Sequence, residues 1–326
     1  MFMKKKLAVV TGGNSSEYVI SVKSADTIME NLNAEKYEAY RVEIKDLQWK
    51  VIIPGSGEEA IDKNDFSFVS KGEKYNFDAA LIMIHGDPGE DGKLQGYFDM
   101  LKIPYTSSNV LSSAATFSKH FTKQYLKSYG IESAEWLLLS QRLGYNLSDV
   151  KSKIGFPCFV KPNNAGSSFG VSKVSTHDQL KDAVEKAMTE DDEVLVEKNL
   201  QGTEITCGVL RTSKAAYKLP VTEIVSKNGF FDYEAKYTDG LAEEIVPARI
   251  DDELAKGCQE LSLKIYDIFH CNWFARVDYI IENGKLYVLE INTIPGMSKE
   301  SIVPKMLRAD DLSLSDLQDE ILADIL

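Results

Sequence analysis

Two short runs place a cation, two carboxylates and a carboxamide at alternate positions: Arg276 and Asp278 in the first, Glu290 and Asn292 in the second. Alternate residues of a strand share a face, and Asn283-Gly284 between alternating apolar residues is a strong hairpin signal. A two-residue turn would pair Glu282 with Lys285 and Asp278 with Leu289, sending Asp278 and Glu290 to opposite faces. A loop one residue longer pairs Asp278 with Glu290 and Arg276 with Asn292. It also gathers Val277, Tyr279, Ile281, Tyr287, Leu289 and Ile291 on the other face. Because a one-residue slip swaps faces, the clean apolar side predicts the longer loop. Opposed carboxylates repel unless something positive lies between them. Hard oxygen donors suit Mg²⁺ (or Mn²⁺ in its place), which keeps waters and shares substrate phosphates. A lone Asp-Glu pair would read as a solvated face with a salt bridge; the amide and arginine in register favour the metal.

Other segments carry chemistry with less specificity. Residues 12–17, Gly-Gly-Asn-Ser-Ser-Glu, end a strand and open a helix, where free N–H groups favour an anion. Glu17 is itself acidic, so spacing alone favours a capped helix; the functional reading has Glu17 receiving an amino group or orienting a hydroxyl. Lys161 stands at a strand end before a Gly/Ser-rich loop, residues 163–170, that can fold over phosphates or be a plain surface turn. Glu197, Lys198 and Leu200 close a strand and Glu204 begins another, a connector able to read an adenine edge and ribose hydroxyls or simply to join strands. His85, with Glu90 nearby, follows a buried strand, at the end where ligands of open α/β sheets gather; a structural histidine is an equal reading. Neither the P-loop nor the dinucleotide glycine motif occurs.

The elements that must position these groups alternate. Strands are predicted at residues 7–11, 37–42, 50–53 and 79–84, with helices at 16–32 and 93–101 and a polar loop at 54–65, a parallel α/β pattern. Helices at 107–115 and 118–128 follow, then strands at 136–139, 158–161 and 193–198 with a helix at 177–188. Beyond residue 205 the reading is antiparallel strands, a polar loop at 228–244, a helix at 252–269, the hairpin, and helices at 299–308 and 312–326. Changes in pattern divide the chain at about residues 105 and 200, into 1–105, 106–200 and 201–326.

Composition sets limits on partners. A 326-residue chain with 44% hydrophobic and 27% charged residues can build several packed units. A net charge of −13 argues against nucleic-acid or anionic-membrane partners, though a nucleotide needs only local lysines. Four scattered cysteines and four unclustered histidines favour neither disulfides nor zinc. The basic start leads into an apolar run too short for a signal peptide or a membrane span, so the expected location is cytoplasmic.

Taken in order, these segments resemble the ATP-grasp superfamily and, within it, the D-alanine–D-alanine ligases. The matching stretches are residues 12–17 with Ser21, 85–92, 161–170, 197–204, 232–237, 276–278 and 289–297. The resemblance implies a three-domain α/β fold with α+β parts: an N-terminal α/β domain and two domains clasping ATP. By analogy Lys119 and Lys161 bind phosphates, Ser168 and Lys236 also bind ATP, Glu197, Lys198, Leu200 and Glu204 frame the adenosine, and Asp278, Glu290 and Asn292 hold the metal. It implies two D-alanines joined through an acyl phosphate, with Arg276 and the Gly296 N–H stabilising the oxyanion and Lys236 among the catalytic groups. Glu17 would anchor the first ammonium and link through Ser167 to Tyr237; His85, Glu90, Ser301 and Ile302 would complete the amino-acid subsites. The family pattern further implies a homodimer, and Lys236-Tyr237 favours an amine acceptor over D-lactate. Ser118 stands where relatives carry aspartate, and Phe231 where many carry tyrosine. D-Ala–D-Ser ligation, D-Ala–D-lactate ligation and a non-catalytic nucleotide-binding regulator are the alternatives.

Overall fold

The computed structural model describes residues 3–166, 169–226 and 242–326. The first sheet runs β4-β3-β2-β1-β7 and is built from β1 (Lys5–Gly12), β2 (Tyr37–Lys45), β3 (Gln48–Ile53), β4 (Gly57–Ala60) and β7 (Ala79–Ile82). A separate hairpin pairs β5 (Phe68–Ser70) with β6 (Glu73–Tyr75). Alternate residues of β1 enter different cores, Leu7 and Val9 one, Ala8 and Val10 the other, which explains its unbroken apolar run. The sheet is mixed rather than parallel: β1 runs parallel to β2 and β7, but β2-β3 and β3-β4 are antiparallel hairpins. The segment read as a polar loop contains β4, because Gly55 and Gly57 at positive φ (73° and 96°) let the chain double back.

Helix α1 (Tyr18–Glu30) covers the first sheet, followed by α2 (Lys93–Leu101), α3 (Val110–Phe117) and α4 (Lys119–Ser128). Asn109 caps α3 and Ser118 caps α4, each accepting a hydrogen bond from the backbone N–H three residues on. Ser118 thus supplies the side-chain acceptor that an aspartate would supply there. A four-stranded sheet, order β10-β9-β11-β8, follows from β8 (Trp136–Ser140), β9 (Cys158–Pro162), β10 (Ser172–Val174) and β11 (Glu193–Lys198). Helices α5 (Ser148–Lys153) and α6 (Leu180–Ala187) supply Val150, Leu180 and Val184 to its core.

The last sheet orders β15-β14-β12-β16-β17, with β13 on β12; its strands are β12 (Thr203–Arg211), β13 (Ala216–Lys218), β14 (Thr222–Ser226), β15 (Ala242–Ile245), β16 (Ala275–Glu282) and β17 (Lys285–Asn292). All its pairings are antiparallel, as expected. The helix Asp252–Ile268 packs Cys258, Ile265 and Tyr266 on one face of it. The final helices, Ile302–Ala309 and Leu314–Ile325, bury Val303, Met306 and Leu317 in the core that also holds Leu7 and Leu81 of the first sheet. The C-terminus therefore ties the first and last sheets together. Among the described residues no helix is long and apolar enough to cross a membrane.

Candidate active site

The β16-β17 hairpin pairs Asp278 with Glu290 and Arg276 with Asn292, as the apolar pattern predicts, but by another route. Its turn is the short one: Glu282 faces Lys285, and Asn283 and Gly284 both take positive φ (52° and 74°). The register is then shifted by a bulge at Leu289, since Tyr279 pairs with Val288 while Asp278 pairs with Glu290. The extra residue inverts the expected faces near the turn. Leu286 and Val288, not Tyr287 and Leu289, join Val277, Tyr279 and Ile291 in the core, and Leu289 lines the cavity instead.

Across four strands the same register aligns Thr222, Thr206, Asp278 and Glu290 in one row. The Arg276 guanidinium grips both Asp278 oxygens at 2.8 Å, Asn292 Nδ2 donates to Asp278 at 3.0 Å, and Thr206 Oγ1 donates at 2.5 Å. Burial works against the Arg276 charge, but Asp278 more than offsets it and lifts the guanidinium pKa above its ordinary value. No cluster of three or more His, Cys, Asp or Glu side chains is poised to hold a metal among the described residues. Two carboxylates and an amide are the donor set of a hard cation that completes its shell with phosphate and water, and they fit that role.

Asp278 and Glu290 of this row line a cavity of about 620 Å³ between the four-stranded and last sheets. Lys119, Lys161, Glu197, Lys198, Leu200, Glu204, Arg276, Asp278 and Glu290 all line it. Its apolar walls include Phe159, Phe169, Ile224, Ile280 and Leu289, a slot for a flat ring. Lys161 Nζ lies 2.5 Å from one Glu197 oxygen, and Lys123 Nζ lies 2.9 Å from the other. Burial would raise the Glu197 pKa, but the two ammonium groups hold it below the usual carboxylate range. Lys119 Nζ donates to the Ala165 carbonyl at 2.6 Å, at the base of the Gly/Ser-rich loop. Asn163 braces that base, its Nδ2 donating to Ser118 Oγ and its Oδ1 accepting from the His120 N–H.

The C-terminal end of the first sheet supplies the other set. Gly12 and Gly13 sit at φ 99°, where a Cβ on Gly12 would strike the Ile44 carbonyl, and the turn aims the following segment across the sheet end. Glu17 precedes α1 but makes no side-chain capping hydrogen bond. Its carboxylate instead abuts Gly166, where an added Cβ would lie 2.8 Å from Glu17 Oε2. Glu17 therefore does not cap α1 with its side chain, and its carboxylate faces the loop instead.

His85 is buried, its N–H held by Ser21 Oγ at 3.1 Å and its Nε2 3.3 Å from Ser24 Oγ. Burial lowers its pKa, partly opposed by Glu17. Glu90 accepts from the Gly86 N–H at 2.8 Å. Burial first, and the Glu17 charge second, push the Glu90 carboxyl up to about 8, against hydrogen bonds from the Gly86 and Ile294 backbones. Both His85 and Glu90 thus touch the Ile294 peptide that follows β17. Gly296 packs against Ser301, whose Oγ would lie 2.8 Å from a Cβ there, and Ser301 Oγ bonds Ser298 Oγ at 2.7 Å. Ile302, buried at the start of the next helix, closes this side.

Ser167, Ser168, Phe231, Lys236 and Tyr237 lie outside the described residues. The remaining expected site residues divide between the cavity and the first-sheet end, except Asn292, which reaches the cavity only through its bond to Asp278; the ionic fields of the two groups overlap, Glu290 acting on Glu90 and Arg276 on His85. Sequence reasoning missed Lys123, Thr206 and Leu289. A signal existed for the first, since Lys119 and Lys123 are spaced i, i+4 and share one helix face.

Comparisons with known proteins agree along the chain. Models of the D-ala D-ala ligase N-terminus and C-terminus match residues 6–108 and 125–323. A D-alanine–D-alanine ligase of Phocaeicola vulgatus is 49% identical over 323 residues, covering 98% of this chain and 99% of that one. Among solved structures, the VanG D-Ala:D-Ser ligase of Enterococcus faecalis superposes with a TM-score of 0.87 at 31% identity, covering 99% of this chain and 100% of that one. A D-alanine–D-alanine ligase of Bacillus anthracis complexed with ATP superposes with a TM-score of 0.77 at 31% identity, covering 98% and 96%. With both family halves matched in order over nearly its full length, this chain belongs to the D-ala D-ala ligase family.

Proposed function

We propose that this protein joins two D-alanine molecules into D-alanyl-D-alanine for peptidoglycan precursors, converting ATP to ADP and phosphate. The observation that carries the reading is that lysines for phosphates meet Arg276, Asp278 and Glu290 at one cavity, while Glu17 of the first-sheet set, with His85 and Glu90 behind it, abuts Gly166 of the cavity lining. The carboxylate of the first D-alanine attacks the γ-phosphorus in line, and the bond from phosphorus to the ADP oxygen breaks, leaving an acyl phosphate. The amine of the second D-alanine attacks the acyl carbonyl and gives up a proton, and the carbon–oxygen bond to phosphate breaks.

Lys119, Lys161, Ser168 and Lys236 take the phosphate charge, while Glu197, Lys198 and Leu200 frame adenine and Glu204 the ribose. Asp278, Glu290 and Asn292 would hold Mg²⁺ (or Mn²⁺), which when bound neutralises charge on the transferring phosphoryl group. Arg276 and the Gly296 N–H face the tetrahedral oxyanion. Glu17 receives the first ammonium, with Ser167 and Tyr237 closing over it, and Ser301 and Ile302 receive the second D-alanine beside His85 and Glu90. Closure excludes water, which would otherwise hydrolyse the acyl phosphate. Three working units divided near residues 105 and 200, a homodimer and a cytoplasmic location complete the proposal.

The test is ADP release from Mg-ATP with D-alanine, L-alanine, D-serine or D-lactate, with products identified by mass. One D-alanyl-D-alanine per ADP, and little turnover with L-alanine, is expected. A mixed D-alanyl-D-serine product made in preference would reassign the acceptor, as the likeness to the D-Ala:D-Ser ligase allows. Nucleotide binding without any product would make the chain a regulator.

A further inference from the structure

The Lys123 ammonium is almost wholly enclosed, its side chain 1% exposed, and it lies in the wall rather than the lining of the cavity. Its charge partner is Glu197 Oε1 at 2.9 Å, yet neither atom finds a well-aligned hydrogen bond, and the Trp136 ring is 5.9 Å away. Burying an ammonium costs several kcal/mol, and replacing such a buried ion pair as a whole by apolar side chains of similar volume is often no less stable. Stability alone therefore does not account for a lysine here. The geometry on the cavity side does. The second Glu197 oxygen is 2.5 Å from Lys161 Nζ, so one carboxylate bridges an enclosed ammonium and a lining one. Two positive charges and one negative leave a net charge of +1. Without Lys123, Glu197 would neutralise Lys161, and this part of the wall would offer nucleotide phosphates no net charge beyond that of Lys119.

We propose that Lys123 is a positioning residue for nucleotide binding: it occupies Glu197 from behind so that the charge of Lys161 stays available to phosphate. The proposal rests on reading the cavity as the nucleotide site. It differs from a purely structural clamp, in which the pair merely pins α4 to β11, because it makes affinity follow the local net charge.

The test compares ATP with adenosine, since adenosine shares every ring and ribose contact but carries no phosphate. Affinities are measured by titration calorimetry for the wild type, Lys123→Met, Glu197→Gln and the double variant K123M/E197Q. The local charges are +1, 0, +2 and +1 in that order, counting Lys123, Glu197 and Lys161. The ratio of ATP to adenosine affinity is expected to fall about tenfold or more in K123M. It should return to within about threefold of wild type in the double variant, and rise above wild type in E197Q, whose local charge is the highest. Should K123M fail to fold, E197Q and the double variant still carry the comparison, because removing both partners of a buried pair is tolerated better than removing one. A ratio that stays constant across all variants, or a double variant no better than K123M, overturns the role of Lys123 alone. A wild type that binds neither ATP nor adenosine overturns the nucleotide site itself, and this inference with it.

Discussion

Replacing Glu90 with glutamine should flatten the pH dependence of stability. Folding lifts the Glu90 carboxyl from an ordinary 4.5 to about 8, through burial and the neighbouring Glu17 charge. Between those values the native state holds a proton that the unfolded chain releases, so stability falls as pH rises, by about 1.4 kcal/mol per pH unit. The full span sets a ceiling of about 5 kcal/mol for this one group. Glu90 is only partly shielded from solvent in the fold, and screening brings the expected effect to about 2–3 kcal/mol. Urea denaturation of both proteins at pH 5.5 and 8.5 measures it. The glutamine variant should gain about 2–3 kcal/mol on the wild type between those two conditions, whatever its offset at pH 5.5. A Glu17→Gln variant should show a smaller gain in the same direction, since Glu17 is the second cause of the shift. Parallel curves for E90Q and wild type would mean that Glu90 is ionised throughout, and the account of a neutral carboxyl beside Glu17 would be wrong.

Glu290→Gln should reduce turnover about 100-fold or more. Its metal-free stability should stay within about 1 kcal/mol, because Glu290 opposes another carboxylate across the strand pair. Unchanged activity at saturating Mg²⁺ would remove Glu290 from the cation site. Gly166→Ala would put a methyl group 2.8 Å from Glu17 Oε2 and displace the carboxylate. Because Gly166 also lines the cavity, both KM values should rise, that for D-alanine about tenfold and that for ATP clearly less; equal effects on both would show that Glu17 does not work at that spot.

What was legible in the sequence was local. The helix Lys119–Ser128, the helix Lys93–Leu101 and the buried run at Ala79–Ile82 follow from periodicity and from continuous apolar patterning. The hairpin is the instructive case. Its apolar pattern demanded Asp278 opposite Glu290, and the turn residues demanded a two-residue loop; both demands were valid, and the bulge at Leu289 satisfies both. A bulge needs no special residue in that position, so composition could not reveal it. The mixed first sheet escaped for a similar reason, since β2, β3 and β4 read the same whichever way they run. The i, i+4 spacing placed Lys123 on the face of Lys119, but its enclosure was not legible, because a lysine on an amphipathic helix normally reaches solvent and only the packing of Trp136 and Glu197 encloses it. Glu17 meeting Gly166 is a contact between distant segments, which no local pattern encodes.

The most direct test of the central claim is to supply D-alanine labelled with ¹⁸O in its carboxylate and to weigh the phosphate released with Mg-ATP. The acyl-phosphate route sends one labelled oxygen from each first D-alanine into phosphate, while D-alanyl-D-alanine keeps the other labels. One ¹⁸O per phosphate is therefore expected. Unlabelled phosphate alongside dipeptide would contradict attack by the carboxylate on the γ-phosphorus, and with it the chemistry assigned to this cavity.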